Sequence, residues 1–235
     1  LYNRATREIK LHPFTLREAE LFYESRGVML NRYMQMQLYM MLGGIPYYMT
    51  FIRKGKSIDQ IVDELFAQKE GKLRDELEQL FVSLFTHHED CMKIVKLLGK
   101  EISEVTKNPY GGGLTKTLKA LAESEFICKY TYYGKPAKEE RYRLIDFFTL
   151  YQLTVIGTKK NPDAKNWNDR FGQKAMTAWY GFAFETLCWN HIAQLKHALG
   201  IPSVHTEEFS WRIEGTREDK GAQIDLMIRR ADNII

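Results

Sequence analysis

The chain of 235 residues has little cysteine: Cys91, Cys128 and Cys188 lie far apart and form no C-x-x-C. That argues against a disulfide framework or a structural zinc site and for a reducing compartment, so a cytoplasmic location is expected. No apolar run approaches the roughly 18 residues of a membrane span, and no membrane partner is expected. No G-x-x-x-x-G-K-[ST] loop occurs, so these residues alone cannot bind and hydrolyse a nucleotide in the usual way. There is no H-E-x-x-H, and no Ser/His/Asp or Cys/His nucleophile set stands out. The first residues, Leu1-Tyr2-Asn3-Arg4, carry neither a Met nor a signal-peptide pattern, and a segment of a longer protein is expected.

What is present is ordinary globular material. Hydrophobic residues make up 44% and charged residues 27%, enough for two or three small domains, and 13 Tyr with 13 Phe can furnish several cores. A net charge of +4 permits contact with nucleic acid without demanding it.

Alternation over residues 7–14 predicts a strand ending at Pro13. Thr15-Leu16-Arg17-Glu18 is a capping box, and the helix it opens ends at Gly27. Asn31 caps a helix over 32–41. Gly43-Gly44-Ile45-Pro46 interrupts it, with Pro46 suited to the first turn of the next helix. Ser57-Ile58-Asp59-Gln60 opens a helix to about residue 69, and 72–85 reads as another with Leu73, Leu77, Leu80, Phe81 and Leu84 on one face. Short helices over 91–98, 101–106 and 114–122 precede strands over 126–133 and 140–144, the layout of a winged helix. A very apolar helix over 146–156, a polar linker over 159–165, a long helix over 179–199 and strands over 203–211 and 223–228 complete the chain. Asn233-Ile234-Ile235 resembles the opening of a further strand.

Three constellations carry chemistry. Glu185 on an amphipathic helix and Asp225 in an apolar strand are the types of carboxylate that hold a divalent metal; a buried ion pair or a strand-end cap fits them equally. Two glycines before a proline-started helix, Gly43, Gly44 and Pro46, let backbone approach a ligand; a helix–helix corner needs the same residues. Lys116 and Lys119, with Lys129, Lys135, Lys138, Arg141 and Arg143 on the hairpin, can contact phosphates, a field diluted by Glu123, Glu125, Glu139 and Glu140.

In shared order, several of these pieces resemble one family. They are residues 9–20 (IKLHPFTLREAE), 39–49 (YMMLGGIPYYM), Gly112-Gly113-Leu114, 142–148 (YRLIDFF), 181–185 (GFAFE), 194–201 (QLKHALGI) and 221–226 (GAQIDL). The chain is similar to the C-terminal part of prokaryotic, archaeal-type AAA+ ATPases of the STAND class. The resemblance implies a fold that is mainly α with α+β parts. It places the end of an ATPase core and its helical lid at 1–86, a winged helix-turn-helix at 87–157, and an incomplete restriction-nuclease-like α/β domain of the PD-(D/E)xK type at 158–235. It implies that the parent protein binds ATP and Mg2+ through a core preceding Leu1, and that Gly43, Gly44 and Pro46 lie near the adenine. Glu185 and Asp225 correspond to the nuclease-like acids, with no counterpart here for the following E-x-K. DNA is the implied partner of the winged helix. The fragment itself is expected not to turn ATP over. Alternatives from other classes are a winged-helix DNA-binding regulator and a metal-dependent nuclease in the longer protein. The family's winged helix also carries a longer connection than the direct step from Lys100 to Glu101.

Overall fold

The structure is a computed structural model that describes residues 9–68, 70–101, 111–134, 141–157, 173–215 and 220–231. It is mainly helical, with two small antiparallel sheets. The local signals account for most element boundaries. Thr15 and Glu18 form a reciprocal capping box on α1 (Leu16–Ser25), and Gly27 follows it at φ +69°. Asn31 accepts from the Met34 amide to start α2 (Arg32–Leu42). Pro46 occupies the first turn of α3 (Pro46–Met49), and Ser57 with Gln60 boxes α4 (Ile58–Val62), which runs into a π turn, Asp63–Ala67.

Several expectations shift. Residues 9–15 form no strand, because no strand lies beside them among the described residues. The helix expected over 72–85 is α5 (Glu76–Leu84). Leu73 is drawn into the preceding turn by its amide's bond to the Leu65 carbonyl, 2.9 Å, and is fully buried there. Leu84, expected on the inner face, is exposed. The short helix expected over 91–98 is one continuous helix, α6 (His88–Glu101). The remainder of the one expected over 101–106 lies outside the described residues. The linker over 159–165 and the strand opening at Asn233-Ile234-Ile235 also lie outside them.

After α7 (Gly111–Glu123), β1 (Ile127–Tyr130) and β2 (Arg141–Leu144) pair antiparallel, with Ile127 opposite Leu144. Asp146 caps α8 (Phe147–Tyr151), accepting from the Thr149 amide at 2.7 Å; a π turn, Gln152–Ile156, continues it. The expected long helix starts earlier, as α9 (Gln173–Asn190). It breaks at His191 before α10 (Ile192–Ala198). β3 (Thr206–Ile213) and β4 (Ala222–Arg230) form the second antiparallel pair, with an irregular register at Ser210.

One hydrophobic core joins the helices through α9 and the β1–β2 hairpin. All five residues of α8 are buried, as a helix apolar on every side must be. Around it, Tyr48, Phe66 and Trp179 pack on Phe148 and Tyr151 with ring centroids 4.5–6.2 Å apart, joining α3 and the Asp63–Ala67 turn to α9. The two sheets also meet. Residues 131–133 run beside β3, and the Tyr133 amide donates to the Ser210 carbonyl at 2.8 Å. No helix among the described residues is long and apolar enough to cross a membrane.

Candidate functional site

The glycine–proline turn is explained first by packing. Gly43 leaves α2 at φ +68°, in the left-handed region that side chains avoid. A Cβ on Gly44 would lie 2.0 Å from the Phe14 carbonyl oxygen and 2.6 Å from its amide nitrogen. The Phe14 amide donates to the Gly44 carbonyl (2.7 Å), and the Tyr39 hydroxyl donates to the Phe14 carbonyl (2.6 Å). The turn thus seats residues 12–15 against α2, and neither glycine requires a ligand to account for it.

Gly43, Gly44 and Ile45 also line one wall of a cleft of about 580 Å3, the size of a small-molecule site. Its other walls come from residues 12–15, from Glu125 and Lys129 of the hairpin, from Asp146 and Phe147, and from Trp189 and His191. Burial pushes the Asp146 carboxyl above its usual range, opposed by its bonds to Thr149. Burial holds His191 below the usual imidazole value. Its Nε2 accepts from the Leu16 amide at 3.1 Å while Nδ1 lies 3.0 Å from the Leu187 carbonyl, which fixes a neutral Nδ1–H tautomer. Burial pushes the Cys128 thiol up to about 11, against the pull of Arg143, so this cleft holds no ready thiolate.

The structure brings Glu185 and Asp225 together, from α9 and β4. Burial raises the Glu185 carboxyl above its usual range, the Asp225 charge adds to this, and Arg143 opposes it. Trp189, one helical turn beyond Glu185, donates its Nε1–H to the Asp225 carbonyl at 3.0 Å, and Ser210 donates to the same oxygen at 2.8 Å. The Asp225 carboxylate accepts from Gln223. β4 is half-exposed rather than buried, with Ile224 45% exposed. Among the described residues no group of three or more His, Cys, Asp or Glu is placed to hold a metal ion. Two carboxylates supply only part of the oxygen shell of a divalent cation, whose remaining positions would fall to water, substrate or further ligands.

The basic residues separate into two groups. Lys116 and Lys119 stand exposed on α7, and Lys119 lies 3.6 Å from Glu123. Lys129 is exposed on β1 and borders the cleft. Arg141 lies over the Tyr132 ring, 4.7 Å from its centroid, and the Arg212 charge nearby works against its own. Arg143 is half-buried. Its guanidinium rests on Tyr130 and Trp189 at 5.2 and 5.3 Å, two rings that also touch each other at 6.0 Å, and its Nε and Nη1 are buried without a hydrogen-bond partner. Lys135 and Lys138 lie outside the described residues.

Three residues take roles that the sequence reading did not give them. Trp189 sits four positions after Glu185, a helical spacing that places the two on one face and could have revealed it. His191 marks the helix break, which has no Gly or Pro to announce it. Glu125 takes a positive φ of 62° that its residue type does not suggest. No protein-family model, no curated protein and no solved structure matches the chain.

Proposed function

We propose that this chain is the lid, winged-helix and nuclease-like part of a STAND-type ATPase, and that the longer protein couples ATP binding and hydrolysis to the downstream modules. The observation that carries the reading is an unpaired strand pattern. Ile9 and Leu11 are 73% and 88% exposed, while the alternate residues Lys10 and His12 are held by Glu125. A stretch with one face engaged and an apolar face bare is suited to the edge of a sheet. On this reading that sheet is the upstream ATPase core. The placement of Phe14 on Gly44 supports it, since it ties the stretch to the helical unit that would serve as lid.

Gly43, Gly44 and Pro46 then sit where the lid faces the adenine, with the cleft beside them; ATP and Mg2+ are held chiefly by the core. The chain alone should turn over no ATP, whereas a protein extended upstream through the core should. Ordinary turnover by residues 1–235, or none by the extended protein, would overturn the reading.

A second reading, a metal-dependent nuclease in the longer protein, is favoured by the proximity of Glu185 and Asp225. It requires further ligands, and its test is cleavage of DNA by the extended protein with Mn2+ or Mg2+, lost in Asp225→Asn.

A further inference from the structure

Residues 9–14 are pinned at two ends to two different parts of the fold. At Phe14 the hold is backbone to backbone, on Gly44, with Tyr39 closing over it. At the other end the hold is ionic. Lys10 Nζ lies 2.8 Å from Glu125 Oε1 and donates to the Glu123 carbonyl at 3.0 Å, and His12 Nδ1 lies 2.7 Å from the same carboxylate oxygen.

The receiving residue is unusual. Glu125 occupies the turn between α7 and β1 in the left-handed region, a conformation that costs a non-glycine residue about 1–3 kcal/mol unless its surroundings impose it. The turn is short and tightly bonded. The Glu125 amide donates to Ala122 and the Phe126 amide to Leu121, while the Phe126 carbonyl accepts from Ile145 and Asp146 at 2.8 and 3.2 Å. A displacement of Glu125 therefore reaches the end of α7, the start of β1 and the end of β2 together. The bonds from Lys10 and His12 outweigh the burial that would raise the Glu125 carboxyl, and hold it below its usual range, so it stays charged at neutral pH.

We infer that residues 9–14 are a two-ended strap that transmits movement of the upstream core to the α7–β1 turn, with Lys10 and His12 on Glu125 as the coupling contact. This rests on the ATPase reading and adds the route by which nucleotide state reaches the winged-helix unit. The Phe14 end acts as the fulcrum, because the absent side chain of Gly44 leaves the two backbones in direct contact. The Glu125 end is the releasable one: both its side-chain partners are more than half exposed, and exposed polar contacts of this kind exchange cheaply with water.

The test is hydrogen exchange in the protein carrying its upstream core, with and without ATP, read at Ile127–Tyr130 and Arg141–Leu144. In the natural protein ATP should change exchange at these strands. Lys10→Glu should cut that difference to less than about half while the extended protein still turns over ATP, because Lys10 itself does not line the cleft beside Gly43 and Gly44. Lys10→Arg should retain the response. Glu125→Asn, which removes the charge but suits the left-handed backbone, should lose it as Lys10→Glu does. An ATP response that persists in both Lys10→Glu and Glu125→Asn overturns the strap and leaves the ATPase reading standing; so does a natural protein that turns over ATP with no response at these strands. A natural extended protein that turns over no ATP sinks the ATPase reading and the strap with it.

Discussion

The backbone amide of Leu16, in the first turn of α1, donates to Nε2 of His191 at the α9–α10 break, 3.1 Å away and 175 positions along the chain. The amide is one of those a helix start leaves without an internal partner, and an imidazole fills the role. The bond requires His191 to stay neutral, and Tyr39 packs edge-on against the ring at 5.4 Å. Burial lowers the His191 value in the folded chain, while the unfolded chain takes its proton near the ordinary 6.5. Stability is therefore level above about pH 6.5 and falls as the pH drops below it, until the folded state takes the proton as well. Thermal midpoints between pH 8 and 5 should fall more for the natural chain than for His191→Gln. Equal slopes in the two would mean that His191 is not the titrating group. Carboxylates held low, such as Glu18 and Glu125, act only nearer their ordinary value of 4.5; Asp146 and Glu185, held high by burial, push the other way and are common to both chains, so the difference between the two slopes reports His191.

Gly44 should tolerate no side chain. Its Cβ would meet backbone atoms of Phe14, which cannot rotate aside as a side chain would. Gly44→Ala should cost at least about 1–3 kcal/mol, the range for forced overpacking. It should also raise hydrogen exchange at the Phe14 amide. Gly43→Ala has a different fault: its Cβ would meet only Phe147 Cβ, at an ordinary 3.9 Å, but its φ of +68° is strained for alanine, at about 1 kcal/mol. Denaturant midpoints should rank the natural chain first, Gly43→Ala second and Gly44→Ala last.

The caps were legible because each is a local bargain between one side chain and nearby amides: Thr15 with Glu18, Asn31 and Ser57 with Gln60 all act within three residues. The glycine–proline turn was legible as a turn, but its occupant was not. Phe14 lies 30 positions from Gly44, and nothing in either segment names the other. The acid pair was legible as two residues, whereas Arg143 beside it was hidden by its appearance in a basic hairpin. Charge in a sequence predicts solvent or phosphate; only packing shows a guanidinium resting against Tyr130 and Trp189. The break at His191 escaped for a related reason, since helical periodicity continues through it and a tertiary bond to Leu16 accompanies the interruption.

Gln152 should behave as a structural polar residue of the core. Its side-chain amide is buried and donates to the Leu73 carbonyl at 2.5 Å, bridging the π turn after α8 to the turn before α5. Gln152→Leu keeps comparable volume but leaves that carbonyl without its donor, a loss of about 1–3 kcal/mol. Chemical denaturation should show it, with an unchanged m-value if the folded state keeps its compactness. A variant as stable as the natural chain would mean that water reaches Leu73 and that the bridge contributes nothing.

Arg143 and the pair Lys116/Lys119 should separate under one binding assay. If α7 faces DNA, its two lysines act as exposed point charges, and replacing both with Gln should weaken low-salt binding to a short duplex and flatten its salt dependence by roughly two counterions. Arg143→Gln should leave that salt slope unchanged, because the guanidinium rests against Tyr130 and Trp189 with Nε and Nη1 buried. Its effect should appear instead in the thermal midpoint, as the packing of the hairpin against Trp189 loosens and Glu185 and Asp225 lose their nearby cation. A slope that falls equally in both variants would place Arg143 on the phosphate backbone and require the hairpin to swing away from α9 when DNA binds. Fluorescence anisotropy across a salt series, with a melt of each variant, distinguishes the two outcomes.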